Sequence, residues 1–109
     1  MNEPRNNKVI LTGQVREEPV YNELLTGHKV IRFTLSTNDK ATKFNGEEIV
    51  DTQHHTVVLW GKLSADYKDS IKKGDSITIV GRIQYRSYRN SNKQTVYLTE
   101  IVAHSLTRK

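Results

Sequence analysis

The sequence predicts an all-β fold: a five-stranded Greek-key barrel with one short helix between its third and fourth strands. Three observations point there. Apolar residues recur at every second position in a series of short segments, which is the period of a strand with one face on a core. Only one segment, Gly61 to Lys73, spaces its apolar residues (Leu63, Tyr67, Ile71) four apart, as a helix does. Turn-forming residues separate the segments, and no internal repeat, low-complexity stretch or second domain breaks the series.

Taken in order, residues 1–7 are polar, carry Pro4 and three asparagines, and read as a flexible leader. A single domain follows over 8–106, and 107–109 form a short basic C-terminus. In KVILTGQV, Val9, Leu11 and Val15 share one side of a pleat, and Gly13 stands where a barrel strand can bend sharply. A turn-rich bridge with Glu17, Glu18, Pro19, Thr26 and Gly27 leads to KVIRFTLST, where Ile31, Phe33 and Leu35 alternate with Arg32, Thr34 and Ser36. Asn38 to Val50 reads as a long polar connection with Asn45 and Gly46 as its turn signal, and TQHHTVVLW is the third strand. After the helix, KKGD is the stop signal. SITIVGRIQYRS alternates Ile77, Ile79 and Ile83 against Thr78, Val80 and Arg82, a polar tip spans Arg89 to Lys93, and TVYLTEIVA is the last strand. Five strands with a helix inserted between the third and fourth is the layout of the OB-fold, a partly open barrel.

Composition narrows the function classes. A chain of 109 residues suffices for one core that buries somewhat over ~60% of the unfolded surface. The formal net charge of +5 asks for an anionic partner without choosing among nucleic acid, membrane surface and polyanions. With no cysteine there is neither a disulfide framework nor a thiolate metal site. MNEPRNNKVI has no apolar core of signal-peptide length, and no apolar run nears the ~20 residues that span a bilayer, so a soluble cytoplasmic protein with no membrane partner is expected. HExxH, glycine-rich phosphate loops and nucleophile elbows are all absent. His54 and His55 point to opposite faces of a strand and cannot close on one metal. Glu47, Glu48 and Asp51, the nearest thing to a carboxylate cluster, read as solvated charge. No enzyme activity, cofactor or metal is expected.

The informative stretch is GRIQYRSYRNSN, residues 81–92, because no acidic residue occurs from Ser76 through Thr99. Alternation puts Thr78, Val80, Arg82, Gln84, Arg86 and Tyr88 on one face and assigns Tyr85 to the face of Ile77, Ile79 and Ile83, as a core or barrel-end residue. Rings beside guanidiniums suit single-stranded nucleic acid, which offers a π face on every base and a charge on every phosphate. The plainer reading is a solvated hairpin face. Trp60 is either buried at the end of VVLW or exposed on the polar face of His54 and Thr56, while His55 reads as a satisfied buried or subunit-interface histidine. Phe44, with Lys43 nearby, either folds back on its own hairpin or meets a bound strand. Tyr67 and Tyr97 read as structural.

With the strands placed this way, NKVILTGQV at 7–15, FTLST at 33–37, HTVVLWGKL at 55–63 and KKGDSITIVGRIQYRSY at 72–88 resemble the bacterial single-stranded DNA-binding protein family, from Asn7 to about Leu106. The resemblance implies an OB-fold that binds single-stranded DNA in replication, recombination and repair and assembles as a homo-tetramer or dimer. It implies stacking of bases on Trp60 and Tyr88, with His54 as a weaker stacking ring. It brings Arg86 beside Tyr88 into the binding face, which Arg82 and Gln84 share by alternation, and it makes Arg5, Lys8, Arg32, Lys62 and Lys73 candidate phosphate contacts. The family often has an aromatic residue where His54 stands and basic ones where Thr56 and Gln84 stand, so lower affinity per subunit is expected. It usually ends in an acidic peptide that recruits replication partners; here the last residues are Thr107, Arg108 and Lys109, so recruitment through a tail is not expected. That ending favours a second reading, a tail-less protein-interaction module of primosomal replication protein N type. Trp60, Tyr88 and VVLWGKL favour DNA.

Overall fold

A computed structural model describes residues 6–108. Its elements are β1 (Val9–Val15), β2 (Val20–Glu23), β3 (Lys29–Thr42), β4 (Glu48–Trp60), α1 (Gly61–Tyr67), β5 (Ser76–Arg89) and β6 (Thr95–Arg108). β1 and β2 act as one barrel strand interrupted at residues 16–19. Both run antiparallel to β3, with Val15 opposite Leu35 and Val20 opposite Arg32. The ring closes because β1 also pairs with β5 along Val9 to Gln14, β5 pairs with β6, β6 runs parallel to β4 at Val57 and Val58, and β4 pairs with β3. This is the five-stranded barrel with one short helix that the alternation predicts.

The inward residues of each strand meet in one core built on Val15, Ile31, Leu35, Val57, Leu59, Ile77 and Ile79, all at most 1% exposed. Each such aliphatic side chain contributes roughly 1.5 to 3 kcal/mol by leaving water. Two glycines let the strands close. A Cβ on Gly13 would overlap the carbonyl oxygen of Ser36, where β1 crosses from β5 to β3, and one on Gly81 would overlap that of Val102. Beside Gly81, β6 carries an extra residue, His104, opposite the Val80–Gly81 step. That bulge keeps Ile101, Ala103 and Leu106 all turned inward and buried.

Several expectations need correction. The polar connection from Asn38 to Val50 is not a loop. Asn38–Thr42 pairs with Glu48–Thr52, and only the turn holding Asn45 and Gly46 (φ 87°) is irregular. This hairpin projects past the barrel and buries neither face, so its sequence shows no alternation. The helix stops at Tyr67, and Ile71 reaches the core from the turn that follows. At the chain's ends, Asn7 is fixed to β5: its Nδ2 donates to the Ile83 carbonyl at 2.7 Å and its Oδ1 accepts from the Ile83 N–H at 2.9 Å. β6 continues past Leu106 to Arg108, which lies 3.7 Å from Asp75. Arg5 lies outside the described residues. No helix among the described residues is long and apolar enough to cross a membrane.

Candidate nucleic-acid interface

One outer wall of the barrel collects most of the residues that sequence reasoning selected. Register aligns Val30 with Trp60, Arg32 with Val58, Thr34 with Thr56 and Ser36 with His54 across β3 and β4. On the far side of β4, Val58 neighbours Val102, Val102 faces Arg82, Glu100 faces Gln84, Leu98 faces Arg86 and Val96 faces Tyr88. Side chains two residues apart on a strand stand roughly 7 Å apart, so Trp60 and His54 are separated by roughly 20 Å along β4.

Exposure decides the open questions about the rings. Trp60 is 39% exposed and Tyr88 48% exposed, both on this wall. Neither belongs to the core. His54 is exposed, its Nδ1 2.8 Å from the Ser36 hydroxyl, while half-buried His55 points the other way, its Nε2 2.9 Å from the Thr37 hydroxyl. Phe44 does not fold back on its hairpin. It stands wholly exposed at the β3–β4 turn beside Lys43, which lies 3.8 Å from Glu47.

The wall's cations differ in what they already hold. Arg86 donates from Nε to Glu100 Oε1 at 2.7 Å and from Nη2 to Oε2 at 3.3 Å. Arg32 Nη2 lies 3.4 Å from the same Oε2, and Arg32 Nε is buried with no hydrogen-bond partner among the described residues. Glu100 itself is only 3% exposed. Its hydrogen bond, with its nearby charge, holds the Arg86 guanidinium above its ordinary pKa against the opposing effect of desolvation. Arg82 donates to Gln84 Oε1 at 3.2 Å and makes no ion pair among the described residues. Away from the wall's centre, Lys8 and Lys62 are exposed, and Lys73 is exposed with its backbone N–H donating to Glu18 Oε1 at 3.2 Å. A groove at Arg32 is lined by Glu17, Glu18, Val20, Thr34 and Thr56, so that end of the wall is acidic. No group of three or more His, Cys, Asp or Glu among the described residues is placed to hold a metal ion.

A profile of the Single-strand binding protein family matches residues 6–108, nearly the whole chain. The chain belongs to the single-strand binding protein family. It is 37% identical over 97 residues to Single-stranded DNA-binding protein 1 of Chlorobaculum tepidum, which covers 88% of this chain and 60% of that protein. It is 34% identical over 99 residues to the Single-stranded DNA-binding protein of Enterococcus faecalis, covering 91% and 52%. The chain thus spans about half to three fifths of the length of these relatives. A solved Plasmodium falciparum SSB complex with ssDNA has the same fold, with a TM-score of 0.88 and 30% identity over 100% of this chain and 99% of that one.

Within this member of the single-strand binding protein family, sequence reasoning missed Glu100. The available signal was a lone acid in the apolar run TVYLTEIVA, on the strand that faces Gln84 and Arg86. Tyr85 and Tyr97, expected as core or structural residues, are 74% and 79% exposed, because β5 and β6 run on beyond the barrel's mouth and no described residue covers the face that continues from Ile83. Glu100→Gln keeps the shape but leaves two guanidiniums without a counter-charge. Because both arginines are more than a third exposed, the expected loss is about 1 to 2 kcal/mol, read as a lower urea midpoint with unchanged m.

Proposed function

We propose that this chain binds single-stranded DNA without regard to sequence and shields exposed strands in replication, recombination and repair. Bases stack on Trp60 and Tyr88, with His54 and Phe44 as further rings. Arg82, Arg86, Gln84, Arg32, Lys43, Lys62, Lys73 and Lys8 line the path of the phosphates. The observation that carries this reading is the placement of the indole and the phenol on an open wall between arginines, both reachable from solvent. Stacking needs only a π face and phosphate contact only a charge, so neither discriminates among sequences. The role is one of binding, not catalysis. β1 supports assembly into dimers and tetramers. Among the described residues only its end, Gln14 and Val15, pairs with β3, so the Val9–Gly13 edge is open, and Ile10 beside it is 60% exposed.

Trp60 is the sole tryptophan and therefore a built-in reporter. Titration with oligo(dT) at low salt is expected to quench its emission, duplex DNA of equal length to leave it nearly unchanged, and affinity to fall with salt by a log–log slope of about −0.7 per phosphate contact. Unchanged emission together with no gel shift would assign the barrel to the protein-interaction reading instead.

A further inference from the structure

The β5–β6 hairpin is a two-stranded ribbon beyond the barrel, and the rings on its two faces are not the same ones. Tyr88 belongs to the outer wall. On the opposite face, alternation along β5 aligns Tyr85, Ser87 and Arg89, and the register sets Thr99, Tyr97 and Thr95 against them in turn. Tyr85 and Tyr97 are therefore diagonal neighbours on one face. Such neighbours stand roughly 7 to 8 Å apart along the sheet, a spacing that aromatic side chains can reach across, so the two rings form one aromatic patch. A hollow of ≈ 260 Å³ lies there, bordered by Tyr85, Ser87, Tyr97 and Thr99 together with Arg86 and Leu98, the residues between them on the two strands. Both rings are more than 70% exposed, and neither phenol has a hydrogen-bond partner among the described residues.

Two rings and a cation repeat the chemistry of the outer wall. Arg89 shares the face, Lys93 sits at the tip, and neither makes an ion pair among the described residues. With no acidic residue between Ser76 and Thr99, the ribbon's field is positive on both sides. A protein partner would need acidic groups to match that field, whereas a nucleic-acid strand already lying on Tyr88 brings its own charge and has only to pass over a ribbon one layer thick.

We propose that the face of Tyr85, Tyr97 and Arg89 is a second contact for single-stranded DNA, engaged when a strand bound along the outer wall folds over the hairpin. This rests on the function proposed above. The test compares native protein with the double variant Tyr85→Ser, Tyr97→Ser and, separately, Arg89→Ser, using oligo(dT) short enough to occupy the outer wall alone and oligo(dT) several times longer. The double variant is expected to bind the short oligonucleotide and quench Trp60 as the native protein does, within about twofold, and to bind the long one at least about tenfold more weakly, with a smaller site size. Arg89→Ser is expected to flatten the salt dependence for the long oligonucleotide only. The proposal is overturned if long-oligonucleotide affinity and site size stay within twofold of native in both variants. It is equally overturned if the double variant changes only the mass in solution, which would make this face a contact between copies of the chain. Failure of the native protein to bind even the short oligonucleotide would overturn the function itself and is distinguishable from either result.

Discussion

The double variant Trp60→Ala, Tyr88→Ala is expected to weaken oligo(dT) binding by about 2 to 6 kcal/mol, thirtyfold at the least, while leaving the salt slope unchanged. Each ring stacks one base, at about 1 to 3 kcal/mol per base. The two stand on β4 and β5, which are not neighbours in the sheet, so their contributions should add. The slope counts displaced counterions, and neither side chain carries charge. Arg82→Ala is the complementary control, with a flatter slope by about 0.7 and a small loss at high salt. Arg86→Ala is a poorer probe of phosphate contact, because it also strips buried Glu100 of its closest partner. Its effect on binding has to be separated from its effect on stability. A double variant that binds like the native protein would place the DNA elsewhere.

Gly13→Ala is expected to lower stability by about 3 kcal/mol or more, a fall of roughly 10 to 20 °C in Tm by calorimetry. The added methyl would meet the carbonyl oxygen of Ser36 and lie 2.9 Å from its carbon. Both are backbone atoms of the strand on which β1 closes the barrel, so neither can swing aside. Gly46→Ala supplies the contrast. Its Cβ would meet open space, and the cost is that of a left-handed φ in an exposed turn, about 1 kcal/mol. Equal losses at the two sites would mean that β1 and β3 do not approach so closely in solution.

The barrel was legible because its strands bury one face. Ile31, Phe33 and Leu35, or Ile77 and Ile79, have to alternate with polar residues if the interior is to be dry, and that requirement writes itself into the sequence. The same logic put Trp60 in line with His54 and Thr56 on β4 but left open whether it is buried, and its exposure decided that. That logic failed where no face is buried. Asn38–Thr42 and Glu48–Thr52 are as regular as any strand here, but both their faces meet water. At Tyr85 the alternation was read correctly and the environment was not, since the period reports which side a residue takes and not whether anything covers that side.

By itself, then, the sequence determined the strand order, the core, the turn at Asn45–Gly46, the cation-rich hairpin and the family. Only the tertiary structure decided how far the two hairpins reach past the barrel, that Phe44, Tyr85 and Tyr97 stand in solvent, and that Arg32 and Arg86 share one carboxylate. The reason is that, although Arg86 and Glu100 belong to the two strands of one hairpin, Arg32 reaches the same carboxylate from β3, across β4 in the sheet and remote in the chain, and no local pattern records a meeting set by the register of a closed sheet.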